Sequence, residues 1–163
     1  MRKKALGSNR SLNRMRIEFL SKSANQSFAR GAVAMFAASL NPTMEEIDDL
    51  KTAVSEAVTN CMVHAYNDSG DGLVIIECEL YSNSIRVIVS DQGLGIENVT
   101  KAMEPFFTTR PTDEERSGMG FTVMQSFMDT LSVESREGNG TVITMQKYFG
   151  KTNAETRLVC GGE

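Results

Sequence analysis

The segment Leu50 to Ala65 constrains the chain more than any other, because it carries two different stripes on one helical repeat. Leu50, Val54, Ala57, Val58, Cys61 and Ala65 recur at helical spacing and form an apolar face that must pack on a core. Glu56, Asn60 and His64 follow one another at intervals of four, so they stack as a polar row along one flank. At about 3.6 residues per turn this row lies beside the apolar face and not opposite it. Polar side chains held at the margin of a buried face suit a site, although an ordinary polar shoulder reads the same way on this segment alone.

The rest of the chain supplies elements for that helix to pack against. Met15, Ile17 and Phe19 alternate with Arg16 and Glu18, the pattern of a half-buried first strand. A helix is expected from near Asn25, with Phe28, Ala29, Ala32, Val33, Phe36, Ala37 and Leu40 inward, and Asn41-Pro42 ends it. Thr43 followed three residues later by Glu46 is the capping-box signature for the organising helix, which runs to about Tyr66. Leu73 to Leu80 and Ile85 to Val89 read as one hairpin, and Leu131 to Arg136 with Thr141 to Lys147 as a second around Gly138-Asn139-Gly140. A short helix is expected over Asn98 to Met103 and another over Phe121 to Asp129. Between them the sequence loses all periodicity, and a loop of that length inside a compact domain is commonly a functional lid. The order β-α-α-β-β-lid-α-β-β predicts an α+β fold: a two-layer sandwich with a mixed, mainly antiparallel sheet and helices on one face.

At 163 residues the chain is expected to be one domain, over residues 15–149, with a flexible basic extension at 1–14 and a disordered tail at 150–163. A net charge of −4 argues against general affinity for nucleic acid or anionic membrane. No apolar run approaches the roughly 20 residues that span a bilayer. Cys61, Cys78 and Cys160 offer neither a disulfide framework nor a zinc pair, which points to a reducing cytoplasm. A single histidine excludes a His-rich metal site.

Four features then stand in a fixed order: Glu56-x-x-x-Asn60 on a helix, Asp91-Gln92-Gly93-Leu94-Gly95 directly off a strand, Pro105-Phe106-Phe107-Thr108-Thr109 in the aperiodic stretch, and Gly118-Met119-Gly120 opening a helix. Together they resemble the Bergerat-fold ATP-binding domain shared by gyrases, heat-shock chaperones, histidine kinases and mismatch-repair proteins. Glu56 to Asn60 resembles its N box, and the two glycine strings its glycine boxes. Ser55-Glu56-Ala57-Val58-Thr59-Asn60 and Glu115-Arg116-Ser117-Gly118-Met119-Gly120-Phe121-Thr122 are most similar to the bacterial anti-sigma serine kinases, the sporulation type in particular.

The resemblance implies ATP or ADP as ligand, with Mg²⁺. Asp91 would accept a hydrogen bond from the adenine amino group, while Gly93 and Gly95 would let the backbone pass close to base and sugar. Asn60 would offer an amide oxygen to the metal, and Gly118 and Gly120 would expose backbone amides to phosphates at a helix N-terminus. Thr108, Thr109, Ser117 and Met119 would belong to the nucleotide-binding lid. Glu56 is the implied general base toward a serine hydroxyl of an anti-anti-sigma partner. Arg116 suits neutralisation of the γ-phosphate or a solvated lid position equally. Thr141 resembles the threonine that helps hold adenine, and is also an ordinary strand residue. His64 suits a packing or hydrogen-bonding place beside the nucleotide and lacks the setting of a phosphoacceptor. The resemblance further implies a homodimer that binds a sigma factor, for which Arg30 is a candidate surface residue or a plain solvated one. Three alternatives remain: a nucleotide-switched binding module in which phosphate transfer is incidental, a stress-response anti-sigma kinase and a detached sensor histidine kinase domain. No P-loop motif is present.

Overall fold

The computed structural model describes residues 10–105 and 118–150. Among these residues five strands and four α-helices follow the expected order: β1 (Asn13–Leu20), α1 (Asn25–Ala37), α2 (Met44–Asn60), β2 (Leu73–Leu80), β3 (Ser84–Asp91), α3 (Val99–Ala102), α4 (Gly120–Phe127), β4 (Thr130–Ser135) and β5 (Thr141–Tyr148). β1 starts at Asn13, so Asn13 and Arg14 belong to the sheet and not to the expected extension. Residues 1–9 and 151–163 lie outside the described residues.

The sheet order is β1-β2-β3-β5-β4, and each of its pairings is antiparallel, the limiting case of the mainly antiparallel sheet expected. Register divides its two faces cleanly. Ile17, Ile76, Val89, Ile143 and Val133 lie abreast across the five strands and face the helices. The neighbouring row of Arg16, Glu77, Ile88, Thr144 and Ser132 faces the other way, and there Arg16 pairs with Glu77 at 2.9 Å. One apolar face and one polar face make two layers.

α2 is the central helix. Its apolar stripe, Leu50, Ala53, Val54, Ala57 and Val58, is wholly excluded from solvent. Its start is fixed by the expected capping box: Glu46 N donates to Thr43 Oγ1 (3.2 Å) and Thr43 N to Glu46 Oε2 (2.8 Å). Gly150 N also donates to Glu46 Oε1 at 2.8 Å, which ties the end of the described chain to the same cap. α1 packs alongside through Ala29, Val33 and Ala37. Phe28, expected inside, is 57% exposed and instead meets Phe19 edge-on, with ring centroids 6.5 Å apart. Its place falls on the margin of the stripe that Ala29, Val33 and Ala37 define. Asn41 takes a left-handed backbone (φ 51°) before Pro42 and closes this helical run.

α2 does not run unchanged to Tyr66. From Cys61 to Ala65 it continues as a π-turn, with Tyr66 N donating to Cys61 O at 3.2 Å. A π-turn inserts one residue into the helical repeat and re-aims the side chains beyond it, a device frequent at functional sites. Here it lies immediately after Asn60.

Candidate nucleotide site

The end of the sheet and the π-turn enclose a cavity of about 830 Å³. Glu56, Asn60 and His64 line it from α2 and the π-turn, Asp91 from the end of β3, and Thr141 from the start of β5. Gly95 lines it from the loop after β3, and Gly118, Met119 and Gly120 from the entry to α4. Segments far apart in sequence therefore contribute to one space.

The meeting of α2 and α4 is close. A β-carbon built on Gly120 would stand 3.2 Å from Glu56 Oε2 and 3.4 Å from Asn60 Oδ1. The first turn of α4 thus lies directly against the carboxylate and the amide oxygen. Gly118, at φ +71°, turns the chain into that helix in a conformation that favours glycine, and the side chain of the N-cap residue Met119 makes no capping bond. Amides of a first helical turn have no intrahelical acceptor and carry the positive end of the helix dipole. This end of α4 faces a cavity wide enough for anionic groups. Partial burial raises the Glu56 carboxyl above its ordinary range, which suits a group that takes up a proton.

Asp91 is held from three sides. Its Oδ1 accepts from Gly93 N at 3.0 Å and from Thr141 N at 3.2 Å, and the buried Cys61 thiol also donates to the carboxylate. Burial still raises its proton affinity, the three bonds pulling the other way. Burial first, and then the charge and contact of Asp91, lift the Cys61 thiol well above its usual value, so it is an inert hydrogen-bond donor here.

The glycines of the Asp91 string have a physical reason that differs from clearance for a ligand. A β-carbon on Gly93 would strike the carbonyl of Ala65, and one on Gly95 (φ +73°) the carbonyl of Arg136. Backbone bonds run through the same points: Leu94 N to Ala65 O (3.1 Å), Gly138 N to Leu94 O (2.6 Å) and Gly140 N to Gly93 O (3.1 Å). The loop is laced between the π-turn and the β4–β5 hairpin, and its glycines make room for the chain's own backbone. Gly95 lines the cavity; Gly93 lies behind the wall. Tyr66 completes the lacing, donating to Leu73 O (2.6 Å) and accepting from Gln92 N (2.8 Å).

Thr108, Thr109, Arg116 and Ser117 lie outside the described residues. Arg30 is exposed and away from this cavity, in a separate cleft of about 260 Å³ that also includes Asp48, Lys51, Thr52 and Ser55. Sequence reasoning missed Lys101, which lines the main cavity from α3 beside Asn98, and Ile96, an apolar wall residue. Neither carries a spacing signal, since each is brought in by loop geometry. Among the described residues no cluster of three or more His, Cys, Asp or Glu side chains could hold a metal. A hard cation bound mainly through phosphate oxygens needs fewer protein ligands, and the neighbouring oxygens of Asn60 and Glu56 fit that need.

Comparison with known proteins places this geometry in a family. The model of the histidine kinase-like ATPase domain matches residues 20–147. The anti-sigma F factor of Clostridium novyi is 62% identical over 135 residues, covering 83% of this chain and 94% of that one. That of Caldanaerobacter subterraneus is 59% identical over 139 residues, covering 85% and 96%. The chain belongs to the anti-sigma F factor family. Its ATPase domain takes up most of the chain, and its fold recurs in solved structures of distant sequence. The RsbU and RsbW domains of Rv1364c from Mycobacterium tuberculosis superpose with a TM-score of 0.60 at 15% identity, covering 86% of this chain and 33% of that one. The catalytic domain of the histidine kinase ThkA gives 0.53 at 18%, covering 83% and 98%. This anti-sigma F factor relative is thus a nucleotide-binding domain of the kinase type. No helix among its described residues is long and apolar enough to cross a membrane.

Proposed function

We propose that the chain binds and inhibits a sporulation sigma factor, sigma F, and, as an ATP-dependent protein-serine kinase, phosphorylates and inactivates the anti-anti-sigma antagonist. The convergence of Glu56, Asn60 and Asp91 on one cavity, against the glycine-flanked start of α4, carries this reading. The names of the curated relatives support the sigma-factor half of it.

In this reading Asp91 accepts a hydrogen bond from the adenine amino group, with Thr141 beside it, and Gly95 borders the nucleoside. The phosphates lie at the first turn of α4, where backbone amides of the Gly118-Met119-Gly120 segment bind anionic oxygen. Asn60 offers its side-chain oxygen to Mg²⁺, which when bound neutralises phosphate charge. Glu56, one helical turn away, takes the proton of the attacking serine hydroxyl. Phosphoryl transfer is mainly positioning and charge stabilisation, so the carboxylate's task is to orient that hydroxyl and receive its proton. Arg116 stabilises charge on the γ-phosphate, and Thr108, Thr109 and Ser117 complete the nucleotide contacts. Residues 15–149 form the working domain, acting as a cytoplasmic homodimer with no direct contact to nucleic acid or membrane, and Arg30 belongs to the partner surface.

The test mixes the full chain with Mg-ATP and the anti-anti-sigma protein and locates phosphoserine by mass spectrometry. Glu56→Gln is expected to bind sigma factor as the wild type does and to transfer no phosphate. Transfer at the wild-type rate by that variant would show that the base lies elsewhere.

A further inference from the structure

The register places three polar residues abreast on the helix-facing side of the sheet end: Asp91 of β3, Thr141 of β5 and Ser135 of β4. Asp91 and Thr141 line the cavity, and Ser135 stands behind Thr141, outside the lining. Ser135 Oγ is fully engaged. It accepts from Ile96 N at 2.8 Å, lies 2.8 Å from Gly140 O, and lies 2.8 Å from Thr141 Oγ1.

Proton counting settles which way these bonds run. A carbonyl oxygen has no hydrogen to give, so the contact with Gly140 O requires the Ser135 hydroxyl to donate there. Ser135 has one proton, and it is then spent. The remaining short contact is a bond only if the Thr141 hydroxyl donates to Ser135. With its own proton turned to the back of the site, Thr141 Oγ1 can offer only lone pairs to the cavity. An ionised Asp91 is likewise an acceptor only.

We propose that Ser135 is a positioning residue for base selection: it holds the Thr141 hydroxyl as an acceptor, so that the end of the cavity reads an exocyclic amino group and rejects a purine with oxygen at that position. The proposal rests on the reading of the cavity as an adenine-nucleotide site. A 6-oxo purine sets its oxygen against the lone pairs of Asp91 and Thr141. Without Ser135 the Thr141 proton is free to turn into the cavity and meet that oxygen.

The experiment measures Kd for Mg-ATP and Mg-ITP on the full chain by calorimetry or competition. The wild type is expected to prefer ATP. Ser135→Ala is expected to narrow the ATP-to-ITP preference by about tenfold, the scale of one hydrogen bond gained or lost, mainly through tighter ITP binding. Ser135→Thr, which keeps the hydroxyl, is expected to retain the wild-type ratio. A merely structural role for Ser135 would weaken both nucleotides together and leave the ratio alone, and that result overturns the proposal. Failure of the wild type to bind either nucleotide would instead overturn the underlying reading of the cavity. A neutron map of the unliganded wild type decides the point without any variant. Deuterium on Thr141 Oγ1 directed at Ser135 supports the proposal, and deuterium on Ser135 directed at Thr141 refutes it.

Discussion

Gly120→Ala is expected to separate stability from activity, because its two effects have opposite signs. Gly120 is the first residue of α4 and is not among the glycines with positive φ, so alanine fits its backbone. Alanine restricts the unfolded chain more than glycine does and favours helix by about 0.5–1 kcal/mol at interior positions, less at a first turn. In a domain of this size that corresponds to a rise in Tm of roughly 1–3 °C. The new methyl, however, would stand 3.2 Å from Glu56 Oε2 and 3.4 Å from Asn60 Oδ1. The nearer contact is tighter than ordinary packing, so the carboxylate, the amide or the helix start must shift by a few tenths of an ångström. In the proposed reading those are the groups that orient the incoming hydroxyl and the metal. Displacements approaching 1 Å at a reacting centre cost about 10²-fold in rate, so a shift this small is expected to cost roughly tenfold. The assay pairs a thermal melt of the unliganded chain with single-turnover phosphate transfer to the anti-anti-sigma protein. A variant that melts no lower than the wild type yet transfers about tenfold more slowly meets the expectation. Transfer at the wild-type rate would mean that the reacting groups do not meet at the Glu56, Asn60 and Gly120 contact.

Glu56 carries a second prediction. Its folded proton affinity is raised by burial above that of the unfolded chain, so the protonated form stabilises the fold at low pH and this contribution is lost as pH rises through the folded value. Glu56→Gln is therefore expected to melt higher than the wild type at neutral pH, and the gap should close in acid; an unchanged gap across pH would remove burial as the cause. Cys61→Ala withdraws a donor from Asp91 and is expected to move the acid limb of ATP binding to higher pH, whereas Cys61→Ser, which keeps a donor, should leave it near the wild type. Lys147, buried on β5, donates to Asp49 Oδ2 (3.1 Å) and to Phe127 O (2.8 Å), fastening α4 to α2. Lys147→Met leaves both acceptors without that donor and is expected to lower stability by about 1–3 kcal/mol in chemical denaturation. An unaltered denaturation midpoint would show that water replaces the amine without loss.

The fold was legible wherever periodicity, caps and turns agreed. The stripe from Leu50 to Ala65, the Thr43–Glu46 box and the two hairpins have local physical causes that sit in neighbouring residues, and each element forms where those residues stand. What escaped depends on neighbours distant in sequence. The π-turn at Cys61–Ala65 buries Met62 and Val63 along with Cys61 and Ala65, and no spacing within that run announces the inserted residue. Phe28 groups with the inward positions by spacing, yet it lies on the margin of the stripe that Ala29, Val33 and Ala37 bury and is exposed. Lys101 and Ser135 reach the site only through loop course and strand register, which no count of residues along the chain reveals.

The glycines of the Asp91 string connect these two kinds of information. Their spacing reads as room for a ligand, yet the space a side chain would take at Gly93 and Gly95 is filled by the carbonyls of Ala65 and Arg136. Gly140 meets the same restriction against the carbonyl of Asp91 itself. A side chain at any of the three would push apart the π-turn, the loop and the β4–β5 hairpin, and with them Asp91, Thr141 and Ser135. This polar row is continuous with the core, since Asp91 lies abreast of Val74 on one side and Thr141 on the other. Substitution at Gly93 should therefore lower stability and nucleotide affinity together, whereas substitution at Gly120, where the neighbouring atoms are the ends of Glu56 and Asn60, should lower activity alone. The contrast arises from the atoms each missing β-carbon would touch: main chain in one case, working side chains in the other.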